Sequence, residues 1–249
     1  MNFSVILPTL NEQGHIKELI YNIEKNFLKK KINYEIIVID DNSIDQTAKQ
    51  VKSLKKKKIK IFIRRNQKKN LADSINLGIK KSIYNNIIWM DADFQHPPEY
   101  IKKFVKYSEK FDVIIFSRFL KKSQRYFDKD VNTKEFNENQ SILFNKICNF
   151  FFYKDLTDYT SGFILIKKDK IKDIKLKGYY GEYFLNLLIQ CKLKKLSIKE
   201  LPYKERLRKT GLSKTGIKLS FAYIYLCLNY FYCFLLNLVK KNLKINKIL

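Results

Sequence analysis

Short apolar runs alternate with amphipathic stretches through the first half of the chain, and this alternation constrains the fold more than any other feature. Phe3–Leu7 stops at Pro8, and Ile16, Leu19, Ile20, Ile23 and Phe27 then recur at helical spacing. Tyr34–Ile39 is a β-branched run stopped by Asp40-Asp41-Asn42-Ser43, with a helix expected over Thr47–Leu54. Ile59–Ile63 predicts a third strand and Leu71–Ser82 a weaker helix. Ile87–Met90 predicts a fourth strand, and Pro97-Pro98 suits the first turn of a helix running to Lys110, ahead of a fifth strand over Asp112–Phe116. Repeats of this kind give an α/β fold with a mostly parallel central sheet and flanking helices. Ligands of such sheets sit beyond the carboxyl ends of the strands. Three strands end in polar clusters, Pro8–Glu12, Asp40-Asp41 and Asp91-Ala92-Asp93, which are therefore expected to meet at one cleft.

Beyond the fifth strand the pattern loosens. Lys121–Gln140 is polar, lacks periodicity and predicts a long loop. Ser141–Phe152 predicts a helix, Ser161–Ile166 a strand, Tyr180–Cys191 a helix and Leu196–Leu201 a strand, followed by the basic segment Arg206–Lys214. The expected division is one domain over 1–217 and an apolar, Lys-flanked helix and tail over 218–249. Leu219–Val239 carries no charge across 21 residues and lies between Lys218 and Lys240-Lys241. That length can span a bilayer, lie in its interface beside anionic headgroups, or pack on the core or on a second copy of the chain.

Composition narrows the partners. Lys and Arg number 50 against 24 Asp and Glu, a formal charge of +26, which admits nucleic acid or an anionic membrane surface. A hydrophobic content of 45% is enough for a core and argues against a disordered chain. Cys148, Cys191, Cys227 and Cys233 form no CxxC pair, so neither a disulfide framework nor a zinc site is expected and a reducing compartment fits. Met1–Pro8 has no basic region ahead of a long apolar stretch, so no signal peptide is expected.

The acidic strand ends carry the chemistry. Residues i and i+2 at a strand end share a face, so Asp91 and Asp93, with Gln95 nearby, offer hard oxygen ligands to Mg²⁺ or Mn²⁺. Asp40 and Asp41 can accept hydrogen bonds from ribose or base, while Asp41, Ser43 or Asp45 can cap the next helix. The chain contains neither GxGxxG nor GxxxxGK[ST], which argues against a dinucleotide site or a P-loop.

Taken together, Pro8-Thr9-Leu10-Asn11-Glu12, Ile39–Thr47 and Asp91–Glu99 resemble the family 2 glycosyltransferases, and within them the dolichol-phosphate mannosyltransferase group. Phe116-Ser117-Arg118, Thr160-Ser161-Gly162-Phe163 and Arg208-x-x-Gly211-x-Ser213-Lys214 extend the resemblance in the family's order, from Phe3 to Lys214. It implies a GT-A fold, a GDP- or UDP-sugar donor and inverting transfer to a lipid-linked acceptor such as a polyprenyl phosphate, at the cytoplasmic face of the membrane. By the same resemblance Pro8, Asn11, Glu12, Asp40, Asp41 and Asp91 line the nucleotide-sugar pocket, and Asp91, Asp93 and Gln95 hold the metal. Arg118, Ser141, Arg208, Ser213 and Lys214 face phosphates of donor or acceptor. Asp93, Arg118, Asp158 and Arg208 are the implied catalytic set. The chain departs from the family at Asn70-Leu71-Ala72 (for Gly-Leu-Gly), at Phe116 (for Gly) and at Asn137, where an Arg precedes Ser141 by four residues; Lys134 or neighbouring lysines could supply the charge.

The acceptor decides the mechanism. A phosphate monoester is already anionic near neutral pH, whereas a hydroxyl must lose its proton to a carboxylate within reach. Asp158 is the candidate base, its other expected role being to orient an arginine, and Glu182 is a weaker candidate. His15 is expected on a helix surface, His96 in the shaping of its loop and Trp89 in the core. Three competing readings are transfer to a hydroxyl of a glycan or lipid, a nucleotidyltransferase that releases pyrophosphate, and a basic nucleic-acid binder. The apolar 219–239 segment and the absence of a recognised binding motif count against the last, so no nucleic-acid partner is expected.

Overall fold

The computed structural model describes residues 1–65, 67–124, 133–178 and 183–206. Seven strands form one sheet: β1 Asn2–Thr9, β2 Asn33–Asp40, β3 Ile59–Ile63, β4 Asn86–Trp89, β5 Val113–Ser117, β6 Ile164–Lys167 and β7 Ile198–Pro202. Their spatial order is β3-β2-β1-β4-β6-β5-β7. β6 runs antiparallel to β4 and β5, and every other pairing is parallel. The helices are α1 Ile16–Leu28, α2 Thr47–Ser53, α3 Leu71–Lys81, α4 Ile101–Tyr107, α5 Thr133–Phe151 and α6 Tyr183–Leu193.

The strands form where β-branched residues can be buried on both faces. β1 lies between β2 and β4, and alternation along it feeds two cores. Phe3, Val5 and Leu7 join Ile16, Leu19, Ile23 and Phe27 of α1 on one face. Ile6 joins Ile75 of α3, Trp89 of β4 and Leu188 of α6 on the other. Ser4 is tolerated inside β1 because its hydroxyl donates to Glu35 Oε1 at 2.7 Å. α3 approaches β1 so closely that a Cβ on Gly78 would stand 2.4 Å from Ile6 Cγ2.

Strand order reverses direction at β1: successive units step outward to β2 and β3, and the chain then returns to place β4 on the other flank. This switch point opens a crevice at the carboxyl edge. Thr9 pairs with Asp40, and Ile6 with Trp89, so the segments after β1, β2 and β4 all leave from that edge.

Several elements depart from the expected bounds. β4 stops at Trp89, so Asp91 and Asp93 lie in a turn rather than on a strand, and strand alternation does not govern them. The helix after Pro97 opens as a 3-10 turn over Pro98–Tyr100 and ends at Tyr107. β6 begins at Ile164, because Gly162 adopts a left-handed φ of 68° that breaks the strand. α5 already starts at Thr133, so the last eight residues of the stretch expected as a loop, Thr133–Gln140, are helical. Lys, Glu and Gln favour helix without leaving an apolar period to read. The apolar segment 219–239 lies outside the described residues; among those described, no helix is long and apolar enough to cross a membrane.

Candidate active site

Two loops fastened to each other form one side of the crevice. Asn11 takes a left-handed φ of 58° directly beyond β1. Its N–H donates to Ser43 Oγ (2.9 Å) and its Oδ1 accepts from the Ile44 N–H (3.0 Å). The Glu12 N–H donates to Thr47 Oγ1 (2.8 Å), and the Gln13 N–H to Asp45 Oδ2 (3.1 Å). Pro8 is half-buried on β1 opposite Ile39. Asp40 is buried at the end of β2, where its carboxylate accepts from the Ser43 N–H (2.9 Å), Ser43 Oγ (2.6 Å) and Thr9 Oγ1 (3.3 Å). Ahead of α2, whose N-cap position is Gln46, Asp45 Oδ1 accepts from the Thr47 N–H at 2.9 Å.

Asp41 serves the scaffold. Its Oδ1 accepts from Arg64 Nη1 (2.6 Å) and its Oδ2 from the Asn70 N–H (2.7 Å). Burial pushes this carboxyl up, against the downward pull of the Asn70 N–H and the Arg64 charge. Arg64, buried itself, also donates to the Asn70 carbonyl and to Ser74 Oγ, tying β2 to the start of α3. Asn70 caps that helix by accepting from the Asp73 N–H (3.0 Å), which gives the residue standing for the family's glycine a structural task.

The turn after β4 forms the centre. Asp93 is buried and its Oδ1 accepts from the Gln95 N–H (3.0 Å), whereas the Asp91 side chain is 46% exposed. Phe94, directly after Asp93, holds a left-handed φ of 70° that bends the chain toward Gln95 and His96. His96 is buried, stacked on Phe163 at 4.7 Å, and its Nδ1 accepts from the Asp91 N–H (2.9 Å). Burial pushes its pKa down to about 4, so the ring is neutral and carries its proton on Nε2. His96 thus shapes the loop as expected. His15 does not lie on a surface: it is buried at the start of α1, edge-on to Phe94 at 5.9 Å. Trp89 is core, and its Nε1 donates to Tyr183 Oη (3.2 Å).

The opposite side is built on Arg118 and Asp158. Arg118 Nε and its backbone N–H donate to Asp158 Oδ2 (2.9 and 3.0 Å), and Nη2 donates to Oδ1 (2.9 Å). Thr160 supplies Asp158 with a further N–H (3.0 Å) and hydroxyl (3.1 Å). Burial would raise the Asp158 pKa, but the Arg118 charge and these donors hold it below the usual carboxylate range; Arg118 is correspondingly raised. Both Asp158 oxygens are thus engaged by Arg118 and Thr160, which is the geometry of the arginine-orienting role. Glu205 lies 3.9 Å from Arg118 Nη1. Phe116, in place of the family's glycine, fills an aromatic layer with Phe104 (4.7 Å) and Phe163 (4.8 Å).

Ser141 lies on α5, where its carbonyl accepts from Asn145 Nδ2 (2.8 Å), and Asn145 in turn reaches Thr160 Oγ1 (3.2 Å). Arg208, Ser213, Lys214 and Glu182 lie outside the described residues, as do the side chains of Lys134 and Asn137. Among the described residues no three His, Cys, Asp or Glu side chains gather as a metal cluster. The donor chemistry still fits a hard ion, because Mg²⁺ is commonly held by one or two carboxylates completed by water and substrate phosphate. Asp91, Asp93 and Gln95 supply that kind of partial set.

A switch-point crevice rimmed by aspartates, in a sheet whose penultimate strand in sequence runs backwards, defines the class of GT-A nucleotide-sugar transferases. The glycosyl transferase family 2 model matches residues 4–175, and the chain belongs to that family. It is 32% identical over 200 residues to a dolichol-phosphate mannosyltransferase of Pyrococcus furiosus, covering 79% of this chain and 54% of that protein. It is 31% identical over 185 residues to the putative glycosyltransferase CsbB of Bacillus subtilis, covering 73% of this chain and 52% of that protein. The chain therefore spans about half the length of these two relatives. Glucosyl-3-phosphoglycerate synthase from Mycobacterium tuberculosis, solved with Mn²⁺, UDP and glucosyl-3-phosphoglycerate, superposes with a TM-score of 0.64 at 15% identity, over 85% of this chain and 73% of that one.

Proposed function

We propose that this domain transfers a sugar, with inversion, from a GDP- or UDP-sugar to a polyprenyl-type phosphate at the inner face of a membrane. The family and the mannosyltransferase relative support sugar transfer, and the Mn²⁺ and UDP bound to the mycobacterial enzyme support a nucleotide-sugar donor and a divalent ion. The loops around Asn11 and Asp40 would receive the nucleoside. Asp91, Asp93 and Gln95 would hold Mg²⁺ or Mn²⁺, which supplies charge neutralisation for the departing diphosphate. Arg118, held rigid by Asp158, would present a fixed guanidinium edge to phosphate oxygens, a preorganised electrostatic contribution. Arg208, Ser213 and Lys214 would add contacts to acceptor or donor phosphate.

The observation that carries the choice of acceptor is the saturation of Asp158. A hydroxyl acceptor needs a base, and the candidate base is already committed to Arg118 and Thr160. A phosphate acceptor is its own nucleophile. The 218–249 segment would form a separate, apolar attachment to the membrane or to a second copy, beyond a transferase domain over 1–217. Incubation of the full chain with labelled GDP- and UDP-sugars, a divalent ion and defined acceptors tests the reading. A glycosyl phosphate lipid is the expected product; a glycoside formed on a hydroxyl acceptor would reject it.

A further inference from the structure

Glu200 carries neither a motif nor an expected role, yet its contacts converge on the site. It lies on β7, opposite Ile115 of the neighbouring β5, and is half-buried. Its Oε1 accepts from the Thr157 N–H (3.0 Å) and the Asp158 N–H (3.1 Å). Its Oε2 accepts from the Thr157 N–H (2.9 Å) and from Thr157 Oγ1 (2.9 Å). One carboxylate therefore takes the donors of two successive residues, the second of which is the partner of Arg118.

A second route starts from the same carboxylate. Thr157 Oγ1 lies 2.6 Å from Ser117 Oγ, and Ser117 Oγ accepts from the Phe119 N–H at 3.1 Å. A carboxylate only accepts, so the Thr157 hydroxyl must point its proton at Glu200, and the Ser117 hydroxyl must point its own at Thr157. The chain Phe119 N–H to Ser117 to Thr157 to Glu200 has one direction, and it brackets Arg118 on both sides. Arg118 is thus fixed twice from β7: through the backbone of Asp158 and through the hydroxyls that flank its own peptide.

We infer that Glu200 is a positioning residue for Arg118, setting the angle at which the guanidinium meets a phosphate in the crevice. The inference rests on the reading of Arg118 as a phosphate-facing group. Gln at this position keeps the shape but not the acceptors: whichever way the amide is turned, an NH₂ faces either the Thr157 and Asp158 N–H groups or the Thr157 hydroxyl. Burial also pushes the Glu200 carboxyl up, as expected where an anion is kept for its acceptors at the cost of desolvation.

The test compares wild type, Glu200→Gln and Thr157→Val as full chains, by side-chain ¹⁵N NMR and by sugar transfer. Arg64 Nε, which donates to Gln67 Oε1 (3.1 Å) while Nη1 of the same guanidinium pairs with Asp41, is the internal control for general loosening. In Glu200→Gln, water exchange at Arg118 Nε–H is expected to rise about tenfold or more with Arg64 unchanged. The kcat should fall by about tenfold, the scale of a small misplacement, with little change in donor KM. Thr157→Val, which removes only the hydroxyl route, should move both readouts the same way by less. Unchanged exchange at Arg118, or equal loosening at Arg118 and Arg64, overturns the role of Glu200. Loosening of Arg118 with full kcat in every variant, and full kcat in Arg118→Ala, would instead remove Arg118 from the reaction and Glu200's role with it.

Discussion

Asp158 meets Arg118 with both carboxylate oxygens, Oδ2 on Nε and Oδ1 on Nη2, each at 2.9 Å, across 40 residues of chain. Such a two-point pairing fixes the plane of the guanidinium as well as its position. Substituting Arg118→Lys keeps the charge and loses the fork. A fall in kcat of about 10²-fold is expected, the usual cost of one preorganised stabilising group. Steady-state transfer assays check this, and a loss below threefold contradicts it.

Removing the other half of the pair acts on stability. Asp158→Ala leaves a largely buried guanidinium without its counter-ion, which costs about 3–5 kcal/mol. The double variant Asp158→Ala/Arg118→Met should recover much of that loss in denaturant midpoint while remaining inactive.

The packing of α3 on β1 gives a separate test. Ala normally improves a helix interior over Gly by about 1 kcal/mol. At Gly78, however, the new methyl would collide with Ile6, and overpacking of this kind costs about 1–3 kcal/mol. Gly78→Ala should therefore lower the melting temperature; a rise would mean that Ile6 moves aside freely.

Cys191 is fully buried, and desolvation pushes its thiol up to about 12. Since only the thiolate reacts, peptide-mapped alkylation of Cys191 at pH 8 should proceed only through unfolding and follow the unfolding rate. Cys148, also fully buried, should behave alike.

Tyr203 presents the opposite case to Asp158. Its ring is buried against Phe163 (5.7 Å) and Phe116 (5.8 Å), and its hydroxyl has no hydrogen-bond partner among the described residues. An orphaned buried hydroxyl costs stability. Tyr203→Phe should raise the unfolding free energy by about 1 kcal/mol; a fall of that size would reveal a partner for the hydroxyl.

Apolar runs and their polar stops made the strands and the crevice readable, because burial on both faces leaves an unmistakable pattern in β1 and β2. The acidic residues at those stops were equally visible. What their environments would be was not. Asp40 and Asp41 are neighbours in sequence, but one is bound by Ser43 and the other by Arg64, a contact that only the pairing of β2 with β3 creates. Asp91 and Asp93 differ in exposure because β4 ends two residues before the first of them. His15 reads as a surface residue by helical period, yet the turn at Phe94 covers it. Glu200 and Arg64 carry no local signal in so charged a chain, and their roles follow only from contacts over long separations.

The central claim is that the carboxyl edge of β1, β2 and β4 binds an activated sugar and releases it from its nucleotide. Its most direct measurement is the phosphate product formed from a labelled nucleotide sugar by wild type and by Asp93→Ala under limiting Mn²⁺. The account predicts a nucleoside diphosphate released in step with sugar transfer, and loss of both in the variant. Release of pyrophosphate, or wild-type turnover by Asp93→Ala, would contradict it.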